Sequence, residues 1–490
     1  MNWELWRKNY MSKTLVCLAI GNLCAGCLFP VTDTNAWQME TRPNIVIVLA
    51  DDMGYGEIQA LNPERGKIPT PHLDQLVRQG LTFTDAHSAS SVCTPSRYAL
   101  LTGRYCWRSQ LQNGVVVGND DPLIAADRLT LASLLSQHGY TTGIIGKWHL
   151  NYNYEGDFKG QKANKDPDRP GFQPAVAPIG TRILDGPLAR GFDSFFGFHH
   201  SREMSSLVRD DRIVEEINVI DMLPRLTTAA VDFIDTHAAA AKQGTPFFLY
   251  FPLSSPHTPI VPGSQWQGKS GLGNYGDFVM QTDDTVGAVI DALERNGVAE
   301  NTLLIFSADN GTSRAAGITE LQAQGHFPSA HLRGSKADIW DGGHRVPFVL
   351  RWPEAQVEAG STTDHLVCHS DFMATMAELL EIDLPETAAE DSFSFYPLLT
   401  GQPVENGRRA IVHHSVSGRF AIRRDNWKLN LCAGSGGWSS PREREARQSG
   451  LPAVQLYDMS VDIGERQNRI NEQPELVAEL LALLEKYIAD

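Results

Sequence analysis

Four positions in this chain carry oxygen donors of the kind that gather around a hard cation: Asp51, Asp52, Asp309 and Asn310. Carboxylates brought to close range repel one another unless a cation lies between them. Oxygen donors without clustered thiolate or imidazole suit calcium first and magnesium second, with zinc less suited. Basic groups stand near them in type and setting: Lys147 and His149 in one stretch and His257 in another. A further stretch, SVCTPSRYALLTGRY from Ser91 to Tyr105, sets one small thiol, Cys93, beside Pro95, with Arg97 four residues on. Pro95 suits a first helical turn, and the spacing lets Cys93 and Arg97 face the same way, where free backbone N–H groups favour an anion. A lone buried cysteine is ordinarily a small core hydrophobe, so the thiol takes its meaning from its surroundings.

The elements that must position these groups are legible as apolar runs. NIVIVLA leads into Asp51 and Asp52, TTGIIG into Lys147 and His149, PFFLYFPLSSP into His257, and TLLIFSA into Asp309 and Asn310. Helical patterns such as LDQLVRQG and LTLASLLSQHG alternate with them, which reads as an α/β fold with a large, mostly parallel, buried sheet. Ligands in open α/β sheets bind beyond the carboxyl ends of the strands, so the four sets are expected to converge on one edge. Turn chemistry alone places Asp, Asn and Gly at strand ends, but four runs ending in acids, an amide, lysine and histidines exceed it.

The chain has 490 residues, 42% hydrophobic and 20% charged, which is ordinary globular usage. A formal net charge of -16 argues against nucleic-acid or anionic-membrane binding, and an anionic substrate would need a local positive site. At the N-terminus Arg7, Lys8 and Lys13 precede the run TLVCLAIGNLCAGCLF, and TNA ends at Ala36, the pattern of an export signal over 1–36. The run is short for a spanning helix. CAGC offers a competing lipoprotein reading, with a lipidated thiol at Cys27. Of seven cysteines only Cys93, Cys106, Cys368 and Cys432 lie beyond this segment, too few and scattered for a disulfide framework. The expected setting is periplasmic or secreted. One glycosylation sequon, NGT at Asn310, coincides with an expected buried metal ligand.

The string Cys93-Thr94-Pro95-Ser96-Arg97 followed by LTGR (Leu101 to Arg104) resembles the signature of type I sulfatases, in which the cysteine is oxidised to formylglycine after translation. The family's other blocks follow in order: ADDMGYG from Ala50, GKWHL from Gly146, PHTP from Pro256, ADNGT from Ala308 and RGSKADIWDGGHRVP from Arg333. The resemblance spans Pro43 to Pro353, with a fainter tail in NWKL, QLYDM and DIGERQN, and implies an alkaline-phosphatase-like fold. It implies that Asp51, Asp52, Asp309, Asn310 and modified Cys93 hold calcium. Arg97 and Lys147 would steady the hydrated aldehyde and the sulfate, Lys336 and His257 would grip the sulfate and protonate the leaving oxygen, and His149 would take a proton from the remaining hydroxyl. A formylglycine-generating or equivalent maturation enzyme is implied as a partner. Asn151 stands where the family usually has Gly, Glu57 where Asp is frequent and Asp341 where Glu is frequent.

After Pro353 the pattern changes. HSDFMATMAELLEI reads as a helix; RAIVHHS, RFAIRRDNWKLNLC and VQLYDMS read as strands of a small antiparallel sheet closed by a helix from Pro474, with Leu476, Leu480 and Leu484 as its core stripe. A catalytic domain over 43–395 and a subdomain over 405–490 are expected. GFHHSREMSS, with His199, His200 and Arg202 beside Glu203, and AGSGGWSSPRE, with Trp438, offer polar groups and an aromatic suited to sugar recognition. The expected substrate is a sulfated oligosaccharide or polysaccharide, a galactose- or N-acetylgalactosamine-type 6-sulfate first. Two alternatives stand beside a sulfuric ester hydrolase: a phosphonate or phosphate diester hydrolase of the same superfamily, and a non-catalytic sulfated-glycan-binding protein.

Overall fold

A computed structural model describes residues 42–117, 121–156, 158, 177–355, 357–405 and 407–489. The export segment lies outside the described residues. A mixed sheet of ten strands organises the chain: β1 (Asn44–Ala50), β2 (Leu81–Phe83), β3 (Thr141–Lys147), β4 (Ser194–Phe198), β5 (Ser206–Arg209), β6 (Arg212–Glu216), β7 (Phe247–Pro252), β8 (Thr302–Ala308), β9 (Phe348–Arg351) and β10 (Ser361–Thr363). Their order across the sheet is β10-β2-β9-β8-β1-β7-β3-β4-β5-β6. The central strands β8, β1, β7, β3 and β4 run parallel, while β9 joins antiparallel on one side and β5 and β6 on the other. The parallel strands carry the four apolar runs that end in polar groups, and β1 is buried along its whole length, as strands covered on both faces are.

Side chains alternate across a strand. Val46, Val48 and Ala50 therefore share one face, and they join a core cluster with Leu223, Leu226 and Ile234 of the helix Val219–Ala241 and Val286, Val289 and Leu293 of the helix Gly273–Arg295. The long apolar stripes of these two helices cover that face of the sheet.

Beyond the main sheet, strands Ala410–His414, Phe420–Arg424, Trp427–Asn430 and Gln455–Asp458 form an antiparallel sheet in sequential order, with the helix Pro474–Ala489 against the second of them. This is the small C-terminal sheet expected from the sequence. The helix departs from its expected stripe at one position: Leu480 and Leu484 are buried, but Leu476 is half-buried and Val477 and Leu481 complete the core face. A strict four-residue step overruns the helical turn of 3.6 residues, so the buried stripe drifts.

Register decides what meets at the carboxyl edge. Ala50 lies opposite Ala308, so Asp51 and Asp309, the next residues, emerge side by side. The Asp309 N–H donates to the Ala50 carbonyl at 3.0 Å, and the Asp51 N–H donates to the Ser255 carbonyl at 2.9 Å, which draws the loop after β7 to the same place. Close packing of β3 against its neighbours depends on glycine. A Cβ at Gly146, whose φ is +129°, would lie 1.8 Å from the Pro252 carbonyl oxygen, and one at Gly197 would lie 1.9 Å from the Gly146 oxygen.

Candidate active site

The helix Cys93–Thr102 is buried along its whole length and begins at Cys93. One turn on, Arg97 passes beneath the metal-ligand candidates. Its Nε and Nη2 donate to Asp309 Oδ2 at 3.1 and 2.8 Å, its Nη1 donates to the Lys147 carbonyl at 3.0 Å, and Nη2 lies 3.5 Å from Asp51 Oδ1. Lys147 Nζ donates to Asp51 Oδ2 at 2.6 Å. Lys336 Nζ donates to Asp52 Oδ1, which also accepts from Asn310 Nδ2 at 2.8 Å. His257 Nε2 lies 3.4 Å from Asp52 Oδ2. All ten residues assigned to catalysis or metal binding thus lie in one connected cluster, once Cys93 and His149 are placed.

Cys93 offers its sulfur together with carboxylate oxygens of Asp51 and Asp309, all within 4.8 Å of one another. Burial raises the Cys93 thiol, so the unmodified sulfur is a poor nucleophile here. His149 takes a left-handed backbone (φ 56°) and hangs from its neighbours: its N–H donates to the His199 carbonyl at 2.7 Å, and its carbonyl accepts from Thr94 Oγ1 at 3.1 Å. The residue Asn151, where Gly is usual, also has positive φ (61°), a conformation that Asn tolerates better than other side chains.

Among the described residues three buried oxygens in this cluster accept no hydrogen bond, although Arg97 and His257 lie within 3.5 Å of two of them: Asp51 Oδ1, Asp52 Oδ2 and Asn310 Oδ1. Each belongs to a proposed metal ligand. Orphaned acceptors converging beside a second carboxylate form a cradle for a hard divalent cation, so the donor set fits the group expected from the sequence. Electrostatics agree. Burial would push Asp51 up, but Lys147, then His257, Arg97 and Lys336, hold it well below the usual carboxylate range. Asp309 goes the other way: burial, then the neighbouring Asp51 charge, push it up to about 7 against the pull of Arg97 and Lys147. Both cannot be comfortably ionised without added positive charge. Full burial of Asn310 also closes the NGT sequon to glycan attachment.

Hydrogen bonding fixes the tautomers of the two histidines. His257 Nδ1 faces the Thr258 carbonyl at 2.6 Å and must carry its proton there, leaving Nε2 as the working nitrogen. His149 Nε2 faces the Val116 carbonyl at 3.1 Å, so its lone pair sits on Nδ1, which is buried without a partner. Burial, reinforced by Lys147, holds His149 well below its ordinary value, and burial lowers His257 against the pull of Asp52. His149 is therefore held as a neutral imidazole with its lone pair on Nδ1.

The candidate substrate residues fall in two places. His199 and His200 are buried, with ring centroids 4.5 Å apart, and His200 lies 5.6 Å from His149, so they form a wall beside the site. Arg202 is exposed. Trp438 is half-buried, its N–H bonded to Asp338 Oδ1 at 2.9 Å, two residues from Lys336. Two contributors escaped the sequence reading of the chemistry. Exposed Arg314 lies with its guanidinium carbon 5.5 Å over the Trp438 ring. Buried Glu57 accepts from Tyr275 Oη at 2.6 Å and Thr312 Oγ1 at 2.9 Å and contacts His326 Nε2 at 2.9 Å, tying the loop after Asp52 to the one after Asn310. Arg314 belongs to no motif, and Glu57 stood out only as a departure from the family pattern; their partners are visible only in three dimensions.

Comparison with known proteins agrees with this geometry. The family model described as Sulfatase matches residues 43–382. The chain is 32% identical to an N-acetylgalactosamine-6-O-sulfatase of Bacteroides thetaiotaomicron, over 94% of this chain and 96% of that protein. It is 31% identical to human arylsulfatase A, over 91% and 86% of the two chains. A solved structure of a sulfatase from glycosaminoglycan metabolism in Bacteroides thetaiotaomicron superposes with a TM-score of 0.77 at 28% identity, covering 92% of this chain and 100% of that one. The chain belongs to the sulfatase family.

Proposed function

We propose that this enzyme hydrolyses the sulfate ester of a sulfated carbohydrate, with formylglycine made from Cys93 as nucleophile and calcium as the resident ion. The observation that carries the reading is the position of Cys93 at the start of a buried helix, its sulfur grouped with Asp51 and Asp309 beside three orphaned oxygens. The thiol occupies the place of the hydrated aldehyde, whose two hydroxyls allow attack on sulfur and then release of sulfate as the carbonyl re-forms. Calcium, held by Asp51, Asp52, Asp309 and Asn310, would supply positive charge for the sulfate oxygens.

The chain's own groups do the rest. Arg97 and Lys147 hold Asp309 and Asp51 and present positive charge beside the nucleophile, and Lys336 holds Asp52. His257, with Nδ1–H fixed on Thr258, can act as an acid at Nε2 only as the imidazolium, which Asp52 beside it favours; it then gives the Nε2 proton to the departing alkoxide and returns to the neutral Nδ1–H form. His149 receives a proton at Nδ1, because its other nitrogen is committed to Val116.

A 6-sulfated galactose or N-acetylgalactosamine is the first substrate to try, on the strength of the similar 6-O-sulfatase and of the Trp438 and Arg314 rim suited to ring stacking and anion contact. His199, His200 and Arg202 are assigned to the opposite wall of the sugar pocket. Export with loss of 1–36, to the periplasm or outside the cell or with a lipid on Cys27, and maturation by a formylglycine-generating enzyme complete the reading; intact mass of the mature chain checks the N-terminus. The catalytic unit is assigned to 43–395 and the subdomain to 405–490. Incubation with sulfated saccharides differing in sulfate position, with sulfate release by ion chromatography, tests the function: release from 6-sulfated sugars supports it, and no release from any sulfated sugar by matured enzyme rejects it.

A further inference from the structure

Four arginines among the described residues are buried: Arg97, Arg190, Arg408 and Arg423. Three have carboxylate partners, Asp309, Asp371 and Asp85 respectively. Arg190 has none among the described residues, although only 6% of it is exposed. A buried guanidinium is normally paired, because desolvation without a counter-charge is costly.

Arg190 spends part of its donor set on the backbone. Its Nε donates to the Ile124 carbonyl at 2.9 Å and its Nη1 to the Ala189 carbonyl at 3.0 Å. Among the described residues Nη2 makes no hydrogen bond, and Arg190 lines a cleft of about 410 Å³. The cleft is walled by Ser133 and Gln137 of the helix Leu131–Gln137, by the turn Pro187–Arg190 and by the loop bearing Thr387, and Arg128 and Asp127 also face it. Arg128 is neutralised by Glu390 at 2.9 Å. Burial lowers the Arg190 pKa and the nearby Asp185 charge only partly opposes it. Asp127 is exposed and also lacks an ion pair among the described residues, so Arg190 is the one buried charge lining the cleft and its one positive charge without a carboxylate partner, in a chain whose net charge is -16.

We propose that this cleft is a second saccharide-binding site, separate from the catalytic cluster, in which Arg190 Nη2 binds an oxyanion, the sulfate or carboxylate of a sugar residue. None of its lining residues belongs to the catalytic cluster. The volume suits one or two sugar rings rather than a bare ion, and the exposed amide of Gln137 lines the wall where ring hydroxyls would lie. The choice of a saccharide rests on the proposed function; binding of an oxyanion rests on Arg190 alone. A second site would hold a polyanionic chain near the enzyme against its overall negative charge, raising the effective concentration of sulfate esters at the catalytic site.

The test uses the full mature chain carrying Cys93→Ala, which binds without turnover. Calorimetric titration with a 6-sulfated, uronate-containing tetrasaccharide should show two classes of site, and Arg190→Gln should remove one of them, with at least a tenfold loss in its affinity. The matched unsulfated tetrasaccharide distinguishes the anion: retained second-site binding assigns the carboxylate, lost binding the sulfate. Because Arg190 also braces two backbone carbonyls, Gln137→Glu supplies a second probe that leaves them alone and should weaken the same class through like-charge repulsion. With Cys93 intact, both variants should keep kcat/KM on a sulfated monosaccharide within about twofold. If neither variant changes binding, the site is refuted. If the chain releases no sulfate from any sugar yet inorganic sulfate still binds in an Arg190-dependent way, the proposed function has failed and the oxyanion site stands.

Discussion

Single residues make the sharpest predictions because their tautomers and charges are fixed by named partners. His149 donates from Nε2 to Val116 and keeps a buried lone pair on Nδ1, so His149→Ala should lower kcat by about 10²–10⁴ while leaving Cys93 conversion intact, as loss of a positioned base does. Lys336→Ala should cost about 10²–10³ in kcat/KM, the usual effect of removing one preorganised contact to developing charge. Asp309 gives a pH prediction. With its carboxyl raised to about 7 in the metal-free fold, the folded chain binds more protons than the unfolded one between the ordinary carboxylate range and neutrality. The corresponding stabilisation is present at low pH and is lost as pH rises through the folded value. Calcium binding must displace that proton, so calorimetry should show tighter calcium binding at pH 8 than at pH 5, with proton release near neutrality. The convergence of these groups was readable in the sequence because strand-end carboxylates have few other reasons to cluster. The roles of the two histidine nitrogens were not, because Val116 and Thr258 offer only backbone carbonyls, which leave no trace in residue type.

At the scale of elements, parallel strand register converts four separate motifs into one site. The sheet was legible because buried parallel strands read as continuous apolar runs, and Ala50 opposite Ala308 then places Asp51 beside Asp309 without any special loop. Close approach of strands was not legible, since glycine in a strand has many uses. At Gly146 the backbone is both left of the usual region and pressed against the Pro252 carbonyl. Gly146→Ala should therefore destabilise the fold by more than about 3 kcal/mol, the range in which strain at a special backbone position falls, as measured by urea unfolding. Glu57 is a positioning residue of the same order. Glu57→Gln keeps the shape but weakens the acceptor for Tyr275 and Thr312, and should reduce calcium affinity by about tenfold, the low end for outer-shell partners of a metal site, with little change in melting temperature when calcium saturates.

Across the whole molecule, the C-terminal sheet completes the catalytic region through a buried ionic core. Lys428, on a strand of that sheet, lies 2.6 Å from Asp341 and 3.0 Å from Glu465, all three fully buried. Asp341 belongs to the segment that carries Lys336, which explains why a departure from the family's frequent Glu is tolerated: Asp here meets Lys428 directly. Lys428→Met removes the cation the two buried carboxylates share, leaving Asp341 with Arg345 at 3.4 Å alone, and should cost about 3–5 kcal/mol, read from urea unfolding of the intact chain. The helix pattern of the subdomain was visible in sequence, but this long-range pairing was not, because ion pairs between distant segments have no local spacing. The account's central claim, sulfate ester hydrolysis by a converted Cys93, is tested most directly in one preparation made in a host with maturation machinery. Peptide mass spectrometry of the Cys93 peptide and sulfate release from a 6-sulfated N-acetylgalactosamine saccharide should rise together: a peptide lighter by about 18 Da, the exchange of thiol for aldehyde that activates the nucleophile, in proportion to turnover. Full turnover by protein whose Cys93 remains an unmodified thiol would contradict it.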